Sequence, residues 1–166
     1  MKKIFFITVI LSIVLPASVF ASDPVEGYWF SVDDKSGVVK SSWIIYEKDG
    51  LLYGKIIALA GFPQDVKALP CNKTYNGFPA SGNVNEMTVV GTTWIWGLKK
   101  QSSGVWKDGS IINPEDGGMY KSKIIFHAAD GKKYKADTLE VRGEIGPFGK
   151  SQFWKKASKE SAEALK

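Results

Sequence analysis

The sequence predicts an all-β protein, an antiparallel up-and-down β-barrel of about eight strands with a short C-terminal tail. Apolar and polar residues alternate in short runs separated by Gly, Asp, Asn and Pro, which is the pattern of strands and turns rather than of helices. Asp49-Gly50 and Asp130-Gly131 lie between such runs, where an Asp-Gly pair favours a tight hairpin turn. Closure into a barrel removes exposed strand edges. An open sandwich of two sheets fits the same spacing and is the alternative.

The N-terminal segment, residues 1–21, is predicted to be a secretory signal peptide. Two lysines precede an uncharged apolar run over residues 4–15, and small residues lead to Ala21. The run is shorter than the roughly 20 residues that a spanning helix needs, so we expect no integral membrane segment after cleavage. The mature chain is expected to begin at Ser22, where a serine in place of a cysteine argues against lipoprotein-type acylation. The expected location is periplasmic or secreted.

The barrel domain is predicted over residues 22–156. Its first three strands are expected at 26–32, 40–47 and 51–60, and a loop rich in Pro, Gly and Asn follows from Gly61 to Asn85. Five further strands are expected at 87–98, 104–112, 117–127, 133–144 and 149–156. Residues 157–166 contain helix formers, but a ten-residue helix is marginal in isolation, so a frayed tail is predicted.

The charge composition argues against a nucleic-acid partner. Without residues 1–21 the chain has 20 basic and 17 acidic residues, a net charge of +3. Arg142 is its one arginine, whereas recognition of phosphates and base edges depends on Arg forks and clustered basic faces.

The reactive residues are few, and they argue against an enzyme. His127 is the single histidine and Cys71 the single cysteine, whereas a zinc site takes three or four ligands, so we predict no metal site and no cofactor. Cys71 lies in a polar loop without a neighbouring base, so no catalytic residue is assigned. A cysteine-dependent activity is a third hypothesis, beside two binding hypotheses. An internal disulfide is impossible, which leaves a free thiol or a link between two chains, and the oligomeric state stays open.

The aromatic residues point to ligand binding. Trp94 and Trp96 are two apart, so they share one face of a strand and project into a lumen, onto an exposed platform, or into plain core. Our leading hypothesis is a non-enzymatic protein that binds a small hydrophobic or amphipathic ligand, such as a fatty acid, in the barrel. The candidate lumen residues lie on alternating apolar faces: Trp43, Ile45, Tyr53, Ile57, Trp94, Trp96, Tyr120, Ile124 and Phe126. A Trp94→Ala variant is then expected to weaken ligand quenching with little change in melting temperature.

The alternative hypothesis is an envelope interaction module. It would bind a glycan or another protein through exposed aromatic side chains and the loop over residues 61–85.

The triplet Gly27-Tyr28-Trp29, together with Arg142 near the end of the chain, resembles the signature of lipocalin-like (calycin) barrels. In that superfamily the tryptophan of a Gly-x-Trp motif packs at the closed end under an arginine from a late strand. The resemblance implies structural roles for Gly27, Trp29 and Arg142 and no ligand contact for them.

Nearly the whole mature chain is similar to the bacterial exported domain-of-unknown-function family 2147. The motifs are Gly27-x-Trp29, Asp34-Lys35-Ser36-Gly37, Ile45-Tyr46-Glu47-Lys48-Asp49-Gly50-x-x-Tyr53-Gly54-Lys55-Ile56, Trp106-x-x-Gly109-x-Ile111-x-x-Pro114-Glu115-x-Gly117-x-x-Tyr120, Val141-Arg142-Gly143-x-Ile145-Gly146 and Phe148-Gly149-x-x-Gln152-x-Trp154. The resemblance implies a small periplasmic or secreted lipocalin-like barrel without an established enzyme activity. Many members have a second cysteine in the long loop, and this chain has Asn72, Lys73 and Thr74 after Cys71.

Overall fold

The computed structural model describes residues 22–166 as a closed antiparallel barrel, and the predicted signal peptide lies outside this range. The strands are β1 (Gly27–Val32), β2 (Val39–Lys48), β3 (Leu51–Leu59), β4 (Thr93–Ser102), β5 (Val105–Asn113), β6 (Gly118–His127), β7 (Thr138–Ile145) and β8 (Phe148–Ala157). Each strand pairs with its neighbour in sequence, and β8 also pairs with β1. The predicted barrel is therefore confirmed, and the open sandwich is wrong. Within residues 22–166, no helix is long and apolar enough to cross a membrane.

Inward-facing side chains, at alternate positions of the strands, fill one half of the barrel interior. Trp29 pairs with Trp43 across β1 and β2, Leu52 pairs with Leu98 across β3 and β4, and Trp106 pairs with Ile124 across β5 and β6. The most deeply buried inward side chains, at most 1% exposed, are Trp29, Ile45, Leu52, Ile95, Leu98, Trp106, Ile124, Leu139 and Trp154. Most of them lie towards the end where β1 begins and β8 finishes, which we call the closed end; the opposite end is the open end.

Residues 23–26 run across the closed end and seal it. The indole Nε1 of Trp29 donates to the carbonyl of Val25 at 2.9 Å, and both residues are fully buried. The Asp23 carboxylate accepts a hydrogen bond from the Gly104 amide at 3.1 Å and lies 2.9 Å from the Lys100 ammonium. The segment before β1 is thereby attached to the β4–β5 turn.

The cation over Trp29 is a lysine and not the arginine that the resemblance implies. Lys156 Nζ lies 4.2 Å from the centre of a Trp29 ring and donates to the Glu26 carbonyl at 3.0 Å. Partial desolvation there lowers the pKa of Lys156. Arg142 is on the outer face of β7, where its Nε donates to Glu144 at 2.7 Å. The role implied for Arg142 is wrong because its strand position places it outside the barrel, whereas Lys156 is the Cα partner of Trp29.

The predicted strands over 87–98 and 133–144 begin too early, because β4 begins at Thr93 and β7 at Thr138. The run over 87–92, predicted as the start of a barrel strand, pairs with the long loop: the Ala68 amide donates to the Met87 carbonyl at 3.0 Å and the Val89 amide to Val66 at 2.9 Å. The tight turn predicted at Asp130-Gly131 is instead part of a loop over 128–137. The Asp130 carboxylate accepts from the amides of Lys132 and Tyr134 at 2.8 and 2.9 Å, which stabilises this loop in place of a hairpin.

The C-terminal tail is docked and not frayed. Residues Lys159–Glu163 form a short helix, α1, with Ser158 as its N-cap. The Ser42 hydroxyl donates to the Ala162 carbonyl at 2.6 Å, and both residues are fully buried. This contact with β2 gives a marginal helix the tertiary support that it lacks in isolation.

Candidate functional site

The upper half of the barrel interior, at the open end, is a cavity. Its volume is about 350 Å³, and an adjoining cavity of about 600 Å³ shares several wall residues with it, Trp43 and Trp154 among them. Ile111, Tyr120 and Val141 line the first cavity, and Ile56 lines the second. Volumes of this size are those of small-molecule binding sites.

Two tryptophans form the inner wall shared by the cavities. The rings of Trp43 and Trp154 are 4.7 Å apart with 34° between their planes. Trp43 Nε1 donates to the Ser41 hydroxyl at 2.9 Å, and Trp154 Nε1 donates to Gln152 Oε1 at 3.1 Å. Because the protein satisfies both indole N–H groups, the two rings present apolar surface in a fixed orientation to the cavities.

The rim of the open end mixes apolar side chains with paired charges. Val38, Phe62, Ile145 and Phe148 are large apolar residues there, between 62% and 79% exposed. Two ion pairs each join a strand lysine to an acidic residue of a connection, Lys150 with Asp34 at 3.3 Å and Lys40 with Glu115 at 4.0 Å. The acidic partners offset the charge of the lysines that line the cavities, so the rim carries little net charge.

Two of the nine predicted lumen residues, Trp43 and Tyr120, line the cavity. Ile45 and Ile124 point inward but belong to the packed lower half, at 1% and 0% exposure. Phe126 lies at the closed end, with its ring edge-on to Trp29 at 6.3 Å. These three residues fill the barrel below the cavity. The inward face of a strand extends through both halves of the interior, so alternation selects packed residues together with cavity residues.

Tyr53 and Ile57 are on the outer face, which corrects the prediction for β3. Gly54 pairs with Ile45 of β2 and with Ile95 of β4, so the even-numbered residues of β3 point inward. Tyr53 stacks on Tyr46 outside the barrel at a ring distance of 5.7 Å.

Trp94 and Trp96 share one face, as predicted, but it is the outer face, so their assignment to the lumen is wrong. Gly97, with a φ of +73°, lies in an irregular stretch of β4 that turns both Ile95 and Leu98 inward. The long loop covers the two tryptophans: the Phe78 ring is 6.0 Å from Trp94 and 5.5 Å from Trp96, and Trp94 Nε1 donates to the Val89 carbonyl at 2.8 Å.

None of the six tryptophans offers an exposed platform. Their exposed fractions are at most 7%. An interaction module would therefore not bind its partner through tryptophans. Its exposed aromatic residues would be Phe62, Phe148 and Phe153.

The long loop is fixed to the barrel wall at Gly117, between β5 and β6. The Tyr75 hydroxyl donates to the Gly117 carbonyl at 2.9 Å, and burial raises the pKa of Tyr75 to about 12. Gly117 has a φ of +69°, and a Cβ there would lie 2.3 Å from the Pro70 carbonyl oxygen. Only glycine permits this close approach of the loop.

Cys71 is part of this loop and is buried, at 1% exposure, with Sγ 4.0 Å from the Pro114 carbonyl of the β5–β6 turn. Burial raises the pKa of the Cys71 thiol, which lowers the thiolate fraction at neutral pH. A link between two chains through Cys71, left open by the sequence, would require the loop to unfold. The same burial argues against the cysteine-dependent hypothesis.

We expect the Cys71 thiol of the folded protein to react with Ellman's reagent at least tenfold more slowly than in denaturant, because both burial and the raised pKa protect it. The time course of absorbance with and without guanidinium measures this. Equal rates in the two conditions would contradict the covered position of Cys71.

His127 ends β6, as predicted, and is part of an outer-face cluster. Its Nε2 lies 2.8 Å from Glu140 Oε2. Among residues 22–166, no group of three or more His, Cys, Asp or Glu side chains is placed to hold a metal ion.

The cavity residues that the sequence analysis missed lie on β5 and the β5–β6 turn and on β7 and β8. Val141, Gln152 and Trp154 line the cavity beside Trp43. Alternation backwards from Trp154 predicts that Gln152 and Lys150 share its face, and this signal was present in the sequence.

Comparison with known proteins agrees with this architecture. Residues 27–156 match the profile of a family described as "Uncharacterized protein conserved in bacteria (DUF2147)". A solved structure, the protein HP1028 from Helicobacter pylori, described as belonging to the lipocalin family, aligns with a TM-score of 0.63 at 20% identity and covers 84% of this chain and 86% of that one. A search of curated proteins gave no match.

Proposed function

Because this chain belongs to the DUF2147 family of bacterial proteins and folds as a lipocalin-like barrel, we propose that it is an exported, non-enzymatic carrier of one small hydrophobic or amphipathic ligand. The observation that carries the proposal is the half-filled barrel. Its lower half is packed, whereas its upper half is a cavity of about 350 Å³ with Trp43 and Trp154 in its wall. A barrel of eight strands is wide enough for one small ligand.

The polarity of the cavity supports an amphipathic ligand with its apolar end inside. The inner wall offers aromatic and aliphatic surface from Trp43, Trp154 and Val141. Polar groups concentrate at the mouth, where Asn113 and Lys150 line the cavity. An apolar chain would lie against the tryptophans, and a neutral or zwitterionic group would remain near the solvent.

Asp116, an acidic residue that lines the first cavity, supports a binding role over a catalytic one. The Asp116 Oδ1 accepts from the Gly118 amide at 2.7 Å, and its Oδ2 accepts from Asn113 Nδ2 at 2.9 Å. These bonds commit the carboxylate to the β5–β6 turn. Export is supported by the signal-peptide pattern of residues 1–21, which predicts a carrier in the periplasm or outside the cell.

The test is titration of residues 22–166 with a fluorescent polyene lipid that has a neutral head group. We expect saturable binding that quenches tryptophan fluorescence. An Ile111→Trp variant fills the cavity and is expected to weaken binding at least tenfold, because the larger ring occupies the site. Circular dichroism checks that the variant folds.

Ile57→Trp is the matched control, since Ile57 lies half-buried on the outer face. It adds the same ring without entering the cavity, so its affinity for the probe should equal that of the wild type. Equal weakening in both variants, or no saturable binding by the wild type to apolar, zwitterionic and anionic chain lipids, would refute the carrier function.

A further inference from the structure

The positive charge of the mature chain is concentrated on three strands. Residues 118–157, which form β6 to β8 and their connections, contain nine basic and four acidic residues, a net charge of +5. The rest of residues 22–166 carries 11 basic and 13 acidic residues, a net charge of −2. The side of the barrel formed by β6 to β8 is therefore positively charged, whereas the rest of the described chain is weakly negative.

Most of these cations lie on the outer face without acidic partners. Lys123 is the Cα partner of Arg142, Lys155 is the partner of Thr138, and the loop over 128–137 adds three lysines. The two glutamates of β7 are already engaged, Glu140 by His127 and Glu144 by Arg142. Within the part of the chain that the structure describes, six lysines of this face have no carboxylate oxygen within 4.0 Å: Lys121, Lys123, Lys132, Lys133, Lys135 and Lys155.

Aromatic rings lie between these lysines. Phe153 of β8 is 40% exposed, and its ring is 6.4 Å from Tyr134 and 6.5 Å from His127. His127 and Tyr134 stack at 4.3 Å, and Lys133 Nζ lies 5.0 Å from the Tyr134 ring. We call the six lysines together with these three rings the basic aromatic face.

We propose that the basic aromatic face docks the protein on an anionic lipid bilayer. Unpaired lysines are attracted to a negatively charged membrane, and an exposed phenylalanine enters the interfacial region. The tip of the β7–β8 hairpin adds Ile145 and Phe148, which are 62% and 79% exposed, at one end of the face.

Two features favour a bilayer over a soluble anionic polymer. The face is the convex outside of a barrel, and the two open-end cavities and a third beside Cys71 lie elsewhere. A flat membrane needs no groove, whereas a peptide or glycan gains directional contacts from one. The charges are also mainly lysines, which act as point charges and lack the fork with which arginine holds a single phosphate or carboxylate.

The experiment is co-sedimentation of residues 22–166 with vesicles of phosphatidylcholine, with or without phosphatidylglycerol. We expect binding only to the anionic vesicles, weakened as salt rises. The triple variant Lys132→Gln, Lys133→Gln and Lys135→Gln should lower the affinity about a hundredfold, since each lysine near such a surface contributes about fivefold.

The matched control removes three exposed lysines elsewhere, by Lys48→Gln, Lys99→Gln and Lys107→Gln. Its affinity for anionic vesicles should stay within about twofold of the wild type, because these lysines lie on β2, β4 and β5. Equal losses in the two triple variants, or equal binding to neutral and anionic vesicles, would overturn the proposal. Binding to soluble polyphosphate without binding to vesicles would overturn it too and assign the face to anionic polymers.

Discussion

Trp94→Ala is expected to lower the free energy of unfolding by about 3–5 kcal/mol, as truncation of a fully buried tryptophan does. The Trp94 side chain is 0% exposed and packs between the outside of the barrel and Phe78 of the long loop. The truncation also leaves the Val89 carbonyl without its indole donor, which adds an unsatisfied polar group. Urea denaturation followed by circular dichroism measures the loss.

Ligand affinity separates this result from a lumen role for Trp94. The ring lies outside the barrel, so the folded fraction of Trp94→Ala, at low temperature, should bind the probe as the wild type does. Leu69→Ala is the control on the same loop, since Leu69 is 69% exposed and its truncation should lower the free energy of unfolding by less than about 0.5 kcal/mol. Nearly unchanged stability together with weakened ligand quenching would restore the lumen assignment.

The barrel could be predicted because its signals are local. Asp49-Gly50 separates β2 from β3, and alternation identifies all eight strands, because side chains on one face recur at every second residue. The start of β4 was predicted six residues too early, at 87 instead of Thr93, for a non-local reason. Residues 87–92 are extended like a strand, but they pair with Val66 and Ala68 of the loop, and nothing near them in sequence shows this.

The face of each strand could be predicted less well. Trp94 and Trp96 share a face by their spacing alone, yet whether that face points inward depends on the irregularity around Gly97 and on the register with β3. A shift of one residue moves every side chain to the other face. Tyr53 and Ile57 were misplaced in this way.

Alternation cannot predict how far along the barrel axis an inward side chain lies, and therefore whether it is packed or lines the cavity. Ile45 and Trp43 are neighbours on the inward face of β2, and one fills the packed half whereas the other lines the cavity. The boundary between them depends on how rings from β2 and β8 meet, and Trp43 and Trp154 are 111 positions apart in the chain. The choice of Lys156 over Arg142 as the cation above Trp29 likewise depends on the pairing of β8 with β1.

The loss of Asp23 is expected to have the second large effect on stability. The Asp23 side chain, 1% exposed, binds Lys100 and the amides of Gly104 and Val25. Asp23→Ala removes all of these bonds and should lower the free energy of unfolding by about 3 kcal/mol at neutral pH. A bond to a charged group contributes about 1.5–3 kcal/mol, but the contributions of bonds to one carboxylate are not additive. Asp23→Asn keeps an acceptor for Gly104 and should cost about 1 kcal/mol.

The same carboxylate makes the fold sensitive to acid. Burial by itself would raise the pKa of Asp23, but the hydrogen bonds from Lys100 and from backbone amides outweigh it and hold the pKa below its usual value of 3.8. A carboxyl with a lowered folded-state pKa stabilises the protein above its unfolded pKa, and this contribution is lost as the pH falls through the folded pKa. The unfolding free energy of the wild type should therefore decrease below about pH 4.

Comparison of variants isolates the part due to Asp23, since Glu140 and other carboxyls with lowered pKa values also lose their contributions in acid. The difference in unfolding free energy between the wild type and Asp23→Asn should be largest near neutral pH and shrink towards pH 2. Asp65→Asn, in an exposed position of the long loop, should differ little from the wild type at any pH. A pH-independent difference for Asp23→Asn would mean that shape, and not charge, holds residues 23–26 across the closed end.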